Sequence, residues 1–181
     1  MTAAANLFST KPTKFIEDNV DTIIKRWLNI VLQDKATLSF SNHHLEELEQ
    51  HGRRIIGHLR KWISYETTPE EIGTLFADRG TKLFKMGIPL CEALRAVMLL
   101  RTTTIKYVRE QLVFDNSFEL QILYDLVSKM AMFFDRAHYH ITRGYMEEMH
   151  TKMKSLVKIS DKDAEKIFFD RSFYKKEKEE S

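Results

Sequence analysis

Apolar residues recur along this chain at steps of three and four, the spacing that gathers side chains onto one side of an α-helix. From Pro12 to Gln33 the stripe is Phe15, Ile16, Val20, Ile23, Ile24, Trp27, Ile30 and Val31. The link DKATLSF follows, with Ser41 or Asn42 placed to cap a second helix over 43–64. The apolar face of that helix is Leu45, Leu48, Ile55, Ile56, Leu59, Trp62 and Ile63. Thr68-Pro69-Glu70-Glu71 reads as a helix start: a capping threonine, a proline at the first helical position and a glutamate placed for a capping box. The third helix ends at Gly87, a good left-handed stop, and Pro89 opens a fourth that continues to about Val113. After FDNS, with Asn116 or Ser117 as cap, a fifth helix runs to about Ser155. Its stripe is Leu120, Leu123, Tyr124, Val127, Met130, Ala131, Phe134, Ile141, Tyr145 and Met149. Its length is roughly 55–60 Å at 1.5 Å per residue, more than a small domain can cover, so part of it must project or pair. A short sixth helix is expected over 161–174, capped at Ser160. The pattern predicts an all-α fold: a flexible lead-in at 1–11, one helical domain at 12–174 and a disordered tail at 175–181.

Composition narrows this reading without changing it. Hydrophobic residues make up 43% of the 181 positions and charged residues 30%, enough for both a core and a solvated surface. Six glycines and three prolines are too few for the turns of a β-rich fold. The balance of 28 basic and 26 acidic residues, net +2, is no basic excess of the kind nucleic acid selects. No uncharged apolar run reaches about 18 residues, so no membrane span is expected, and MTAAANLFSTKPTKF has no signal-peptide core. The single cysteine, Cys91, excludes an intrachain disulfide and fits a reducing compartment, so a cytoplasmic location is expected.

Candidate chemistry is sparse. His44, His51 and His58 are seven apart and share a helical stripe, but about 10 Å separates each from the next, too far for one metal ion. His138 and His140 point to nearly opposite sides of the fifth helix. Cys91 lies in the first turn of the fourth helix, where the helix dipole favours a thiolate, although a small residue in a packing face is the commoner role. No nucleophile elbow or glycine-rich phosphate loop occurs, and the pairs Glu46/Glu47 and Glu147/Glu148 read as surface. Gly73, Ala77 and Gly80 leave one face of the third helix smooth, which invites close approach by another helix rather than a flat ligand. The expectation is a non-enzyme with no catalytic residues, no metal and no cofactor.

DTIIKRWLNIVL, RGTKLFKMGIPLCEALRAVMLLRTTT and FFDRAHYHITRGY together resemble the N-terminal sensory domains of RsbR-type stressosome co-antagonists, over roughly residues 13–150. Similar domains precede many bacterial sensor histidine kinases, and the layout is similar to globin-coupled sensor domains. The resemblance implies a globin-like bundle of five to six helices with a long C-terminal helix pair. In haem-binding members an iron-ligating histidine precedes the glycine of Gly87-Ile88-Pro89 by about four residues; here that place holds Leu83. The resemblance therefore implies the haem-free branch, a sensory or regulatory module acting through protein–protein contacts in bacterial signalling. Two alternatives accompany it: a haem or tetrapyrrole sensor using His51 or His58, and a non-sensing adaptor or structural subunit of a larger assembly. It further implies a homodimer through the fourth and fifth helices, with Val97, Ile105, Val127, Phe134 and Ile141 as interface candidates. With no output domain expected after the tail, the signal is expected to pass to a separate, unidentified signalling partner. The amphipathic segment 160–174 has two readings: it folds back to complete the domain's own core, or it is the contact with that partner, through Ile167, Phe168 and Phe173.

Overall fold

A computed structural model describes residues 14–111, 117–157 and 162–163. Among them every regular element is helical, so the all-α expectation holds. A helical turn at 14–18 leads into α1 (Val20–Gln33), followed by a 3₁₀ segment (Lys35–Asn42), α2 (Leu45–Ile63), α3 (Pro69–Lys85), α4 (Leu90–Gln111) and α5 (Ser117–Val157).

The first helix is interrupted where a continuous one was expected. Asn19 donates its side-chain amide to the carbonyl of Phe15 at 2.8 Å and accepts the Tyr107 hydroxyl at 2.8 Å, so its side chain competes with the helical ladder. The link after α1 is ordered into the 3₁₀ segment rather than left as a loop. Asp34 accepts the amide of Ala36, Thr37 donates to the carbonyl of Val31, and Glu92 of α4 accepts both the amide and the hydroxyl of Ser39. Ser41 and Asn42 fall inside this segment, so neither caps α2; His44 stands at that position, without a side-chain bond, and acidic Glu46 and Glu47 occupy the first turn.

The start of α3 is as the sequence predicts. The Thr68 hydroxyl accepts the Glu71 amide at 3.2 Å, the Glu71 carboxylate accepts the Thr68 amide at 2.8 Å, and Pro69 takes the first turn. Gly87 ends the turn at φ +74°, with its amide on the carbonyl of Phe84 and the Ile88 amide on that of Leu83.

The core is one cluster drawn from every helix. Trp27 of α1 reaches across it to give its indole N–H to the Ala96 carbonyl of α4 at 2.9 Å. Phe76 of α3 meets Phe133 of α5 edge-on at 5.4 Å, and Phe133 meets Phe134 at 5.3 Å.

The smooth face of α3 lies directly on α5. A Cβ placed on Gly80 would stand 2.1 Å from the Ile141 carbonyl oxygen, and one on Gly144 would stand 1.9 Å from that of Ala77. Gly73 is covered by the ring of His140. The occupant expected from the Gly73-Ala77-Gly80 spacing, another helix, is the one found.

Candidate functional site

The same register that puts Gly73 and Gly80 against α5 turns the opposite flank of α3 towards α2. That flank carries Leu75, Asp78, Arg79 and Lys82, spaced three, four and seven residues from the first. The facing flank of α2 carries His51, Arg54, Ile55 and His58 at the same spacing. With Phe76 they enclose a cavity of about 150 Å³. Ile55 and Phe76 are buried and form its apolar side, while Arg54, Asp78 and Lys82 are exposed at its rim.

Half-buried Arg79 is the central polar group. Its guanidinium donates to Nδ1 of His51 at 2.9 Å. Arginine only donates, so this bond makes Nδ1 the acceptor and puts the ring proton on Nε2. Burial holds His51 down to about 4, reinforced by the positive charges of Arg79, Arg54 and Lys82. His58 is lowered as well, first by burial and then by Lys61. Arg79 itself falls to about 10, through burial and then the neighbouring charge of Arg54. Behind the pair, His51 and Arg79 also line a void of about 20 Å³ among Trp27, Phe40, Leu48 and Leu83, room for one water at most. The pair is thus the wall between the core and the outer cavity.

His51 and His58 therefore do come together on one cavity. The space beside them is about 150 Å³, well below the roughly 300 Å³ at which pockets for drug-sized ligands begin, and Arg79 occupies Nδ1 of His51. Leu83, at the place the resemblance reserves for an iron-ligating histidine, is 3% exposed and packed in the core. No group of three or more histidines, cysteines or carboxylates gathers at metal-binding distance among the described residues. No described helix is long and apolar enough to cross a membrane.

The interface candidates divide. Phe134 and Ile141 are fully buried and Val97 is 6% exposed, all within the chain's own core, so none of the three can form a seam with a second copy. Helical periodicity marks apolar positions without telling which neighbour covers them. Ile105 and Val127 are half-buried, and Ile105 lies beside exposed Thr102 and Lys106 on the outer face of α4 and α5. That face also carries Met98, Met132 and Tyr139, at 49%, 54% and 64% exposure. The ion pair between Arg101 of α4 and Asp135 of α5 sets the two halves of the face side by side. Cys91 is exposed, not the packed residue its surroundings suggested. His138 and His140 do part as expected: His138 lies against α4, with Nε2 3.4 Å from the Leu94 carbonyl, and His140 against Gly73 of α3. Ile167, Phe168 and Phe173 lie outside the described residues.

Arg54, Arg79 and Lys82 were not among the residues the sequence singled out. The available signal was the matched spacing of polar residues on α2 and α3, beside the apolar positions Ile55 and Phe76. No family model, no curated protein and no solved structure matches this chain. Its functional reading rests on its own residues.

Proposed function

We propose that this chain is a haem-free sensory or regulatory module that works by contact with other protein chains, beginning with a second copy of itself. The observation that carries the reading is the outer face of α4 and α5. Met98, Thr102 and Ile105 follow one another on α4 at steps of four and three, and Met132, Asp135 and Tyr139 on α5 at steps of three and four. The 41 residues of α5 make a rod of roughly 60 Å. Its buried positions extend only from Leu126 to Gly144, about 27 Å at the same rise. Two such faces packed together give a four-helix seam, which removes the exposed methionines and tyrosine from water.

The test is the oligomeric state of the full chain by size exclusion with light scattering. A dimer has twice the 21.4 kDa of the chain. Met132→Glu and Tyr139→Glu alter exposed side chains, so they are expected to give folded monomers by placing carboxylates in the seam. A monomer for the unmodified chain at micromolar concentration, or a dimer indifferent to both substitutions, refutes the reading. A non-sensing adaptor would use the same face; a sensor is distinguished by a dimer whose stability changes when a small ligand is bound.

A further inference from the structure

Seven of the described arginines have a carboxylate or an aromatic ring to hold. Arg26, Arg53, Arg60, Arg95, Arg101 and Arg143 each hold a carboxylate. Arg136 stacks on Trp62, 5.6 Å from the ring centre. Arg79 is withdrawn from solvent, and its one partner among the described residues is a neutral imidazole. A guanidinium taken out of water without a counter-charge is costly, more so with a second arginine beside it. Arg54 and Lys82, at the same rim, have no carboxylate partner among the described residues either.

We propose that the cavity between α2 and α3 is a binding site for a phosphoryl dianion, gripped by Arg79 and closed over by Arg54 and Lys82. Charge, shape and size agree on this class. The lining holds three cations against one carboxylate, Asp78, so a dianion brings it to neutrality. Guanidinium presents paired N–H donors that match two oxygens of a phosphate, while cations from both helices suit a tetrahedral group better than a planar carboxylate. A cavity of about 150 Å³ has room for several waters, and so for the phosphoryl group and a short stub of whatever carries it. His51 fixes the guanidinium from the core side, and its low proton affinity keeps it a hydrogen-bond acceptor for Arg79 through neutral pH. The site is formed within one chain, so it does not depend on the dimer.

The experiment is calorimetric titration of the full chain in a cationic buffer at fixed ionic strength. The probes are inorganic phosphate, a small phosphomonoester (phosphoserine), acetate and chloride. Saturable binding of phosphate or of the ester, above acetate and chloride, is expected. A preference for the ester marks a phosphorylated metabolite as the source, and a preference for phosphate marks the free ion; both uphold the site. Lys82→Gln and Arg54→Gln, at exposed positions, should each weaken binding about three- to fivefold. Arg79→Gln should weaken it at least about tenfold. If Arg79→Gln does not fold, the two rim variants decide. A second readout is the His51 ring titration by NMR, which should move upward when phosphate is present. Saturable binding of neither phosphate nor the ester, stronger binding of acetate, or affinity unchanged in both rim variants would each overturn the assignment.

Discussion

Replacing Gly144 by alanine tests the close approach of α3 and α5. The new methyl carbon would stand 1.9 Å from the carbonyl oxygen of Ala77, and its next neighbours, at 2.6 and 2.8 Å, are also backbone atoms of Ala77. Ordinary contact begins at 3.4 Å, so α3 must retreat by about 1.5 Å. No side chain can swing aside to spare it. The retreat loosens Ile72, Phe76 and Leu83 against Phe133 and Ile141, all of them buried. Overpacking of a core costs about 1–3 kcal/mol, and a backbone obstacle argues for the upper end. Alanine restores about 1 kcal/mol through its better helix propensity. The net expectation is a loss of about 2 kcal/mol, or roughly 4–8 °C in Tm for a chain of this size. Gly57→Ala is the matched control: it lies on α2, and nothing lies within 4 Å of its added carbon. It should gain up to about 1 kcal/mol from the same propensity. Urea unfolding followed by far-UV circular dichroism measures both. If Gly144→Ala is as stable as the unmodified protein while Gly57→Ala behaves as stated, the two helices do not cross backbone to backbone.

Acid should destabilise the fold through His51. Its ordinary value of 6.5 falls to about 4 in the folded chain, so between those values the unfolded chain binds more protons. The stability this confers is complete above pH 6.5 and disappears as the pH falls towards 4. At 1.36 kcal/mol per pH unit it amounts to at most about 3 kcal/mol, and solvent reaching the half-buried ring reduces it. His58 shifts in the same direction. His51→Gln should therefore flatten the fall in urea midpoint between pH 7 and pH 5, and an equal fall in both proteins contradicts the argument. At the start of α3, Thr68→Ala removes the side chain that accepts the Glu71 amide and should cost about 1 kcal/mol in the same unfolding assay; no loss would mean that the cap is dispensable.

What the sequence disclosed was local chemistry. The cap at Thr68, the turn at Gly87 and the small-residue spacing of α3 each depend on residues within a few positions of one another, and each stands as read. The phase of α5 came through only in part: Met130, Phe134 and Ile141 are fully buried as the periodicity implied, but its N-terminal positions are not. The periodicity also pointed to Leu120, Tyr124 and Val127, yet Leu120 and Tyr124 are 58% and 74% exposed, and the core takes Leu126, Phe133 and Ala137 as well. Apolar residues sit on several sides of that helix, and only the positions of α2, α3 and α4 decide which side is covered. The break at Asn19 needs Tyr107, 88 residues away, and the 3₁₀ segment needs Glu92, 53 residues from Ser39. The cationic cavity was hidden for the same reason. His51 and Arg79 are 28 residues apart, and the spacing within either helix is silent on how the two cross.

The glycines differ in what a second mutation could repair. At Gly52 the space for a side chain is taken by the ends of Ile24 and Trp27, at 2.7 Å each. A larger residue there has possible suppressors, because trimming Ile24 or Trp27 reopens the room. At Gly80 and Gly144 the obstruction is main chain, which every residue possesses and none can give up. No exchange of the opposing residue rescues those positions. The α3–α5 crossing is thus closed to the paired substitutions by which packed interiors usually drift, whereas the α1–α2 contact at Gly52 stays open to them.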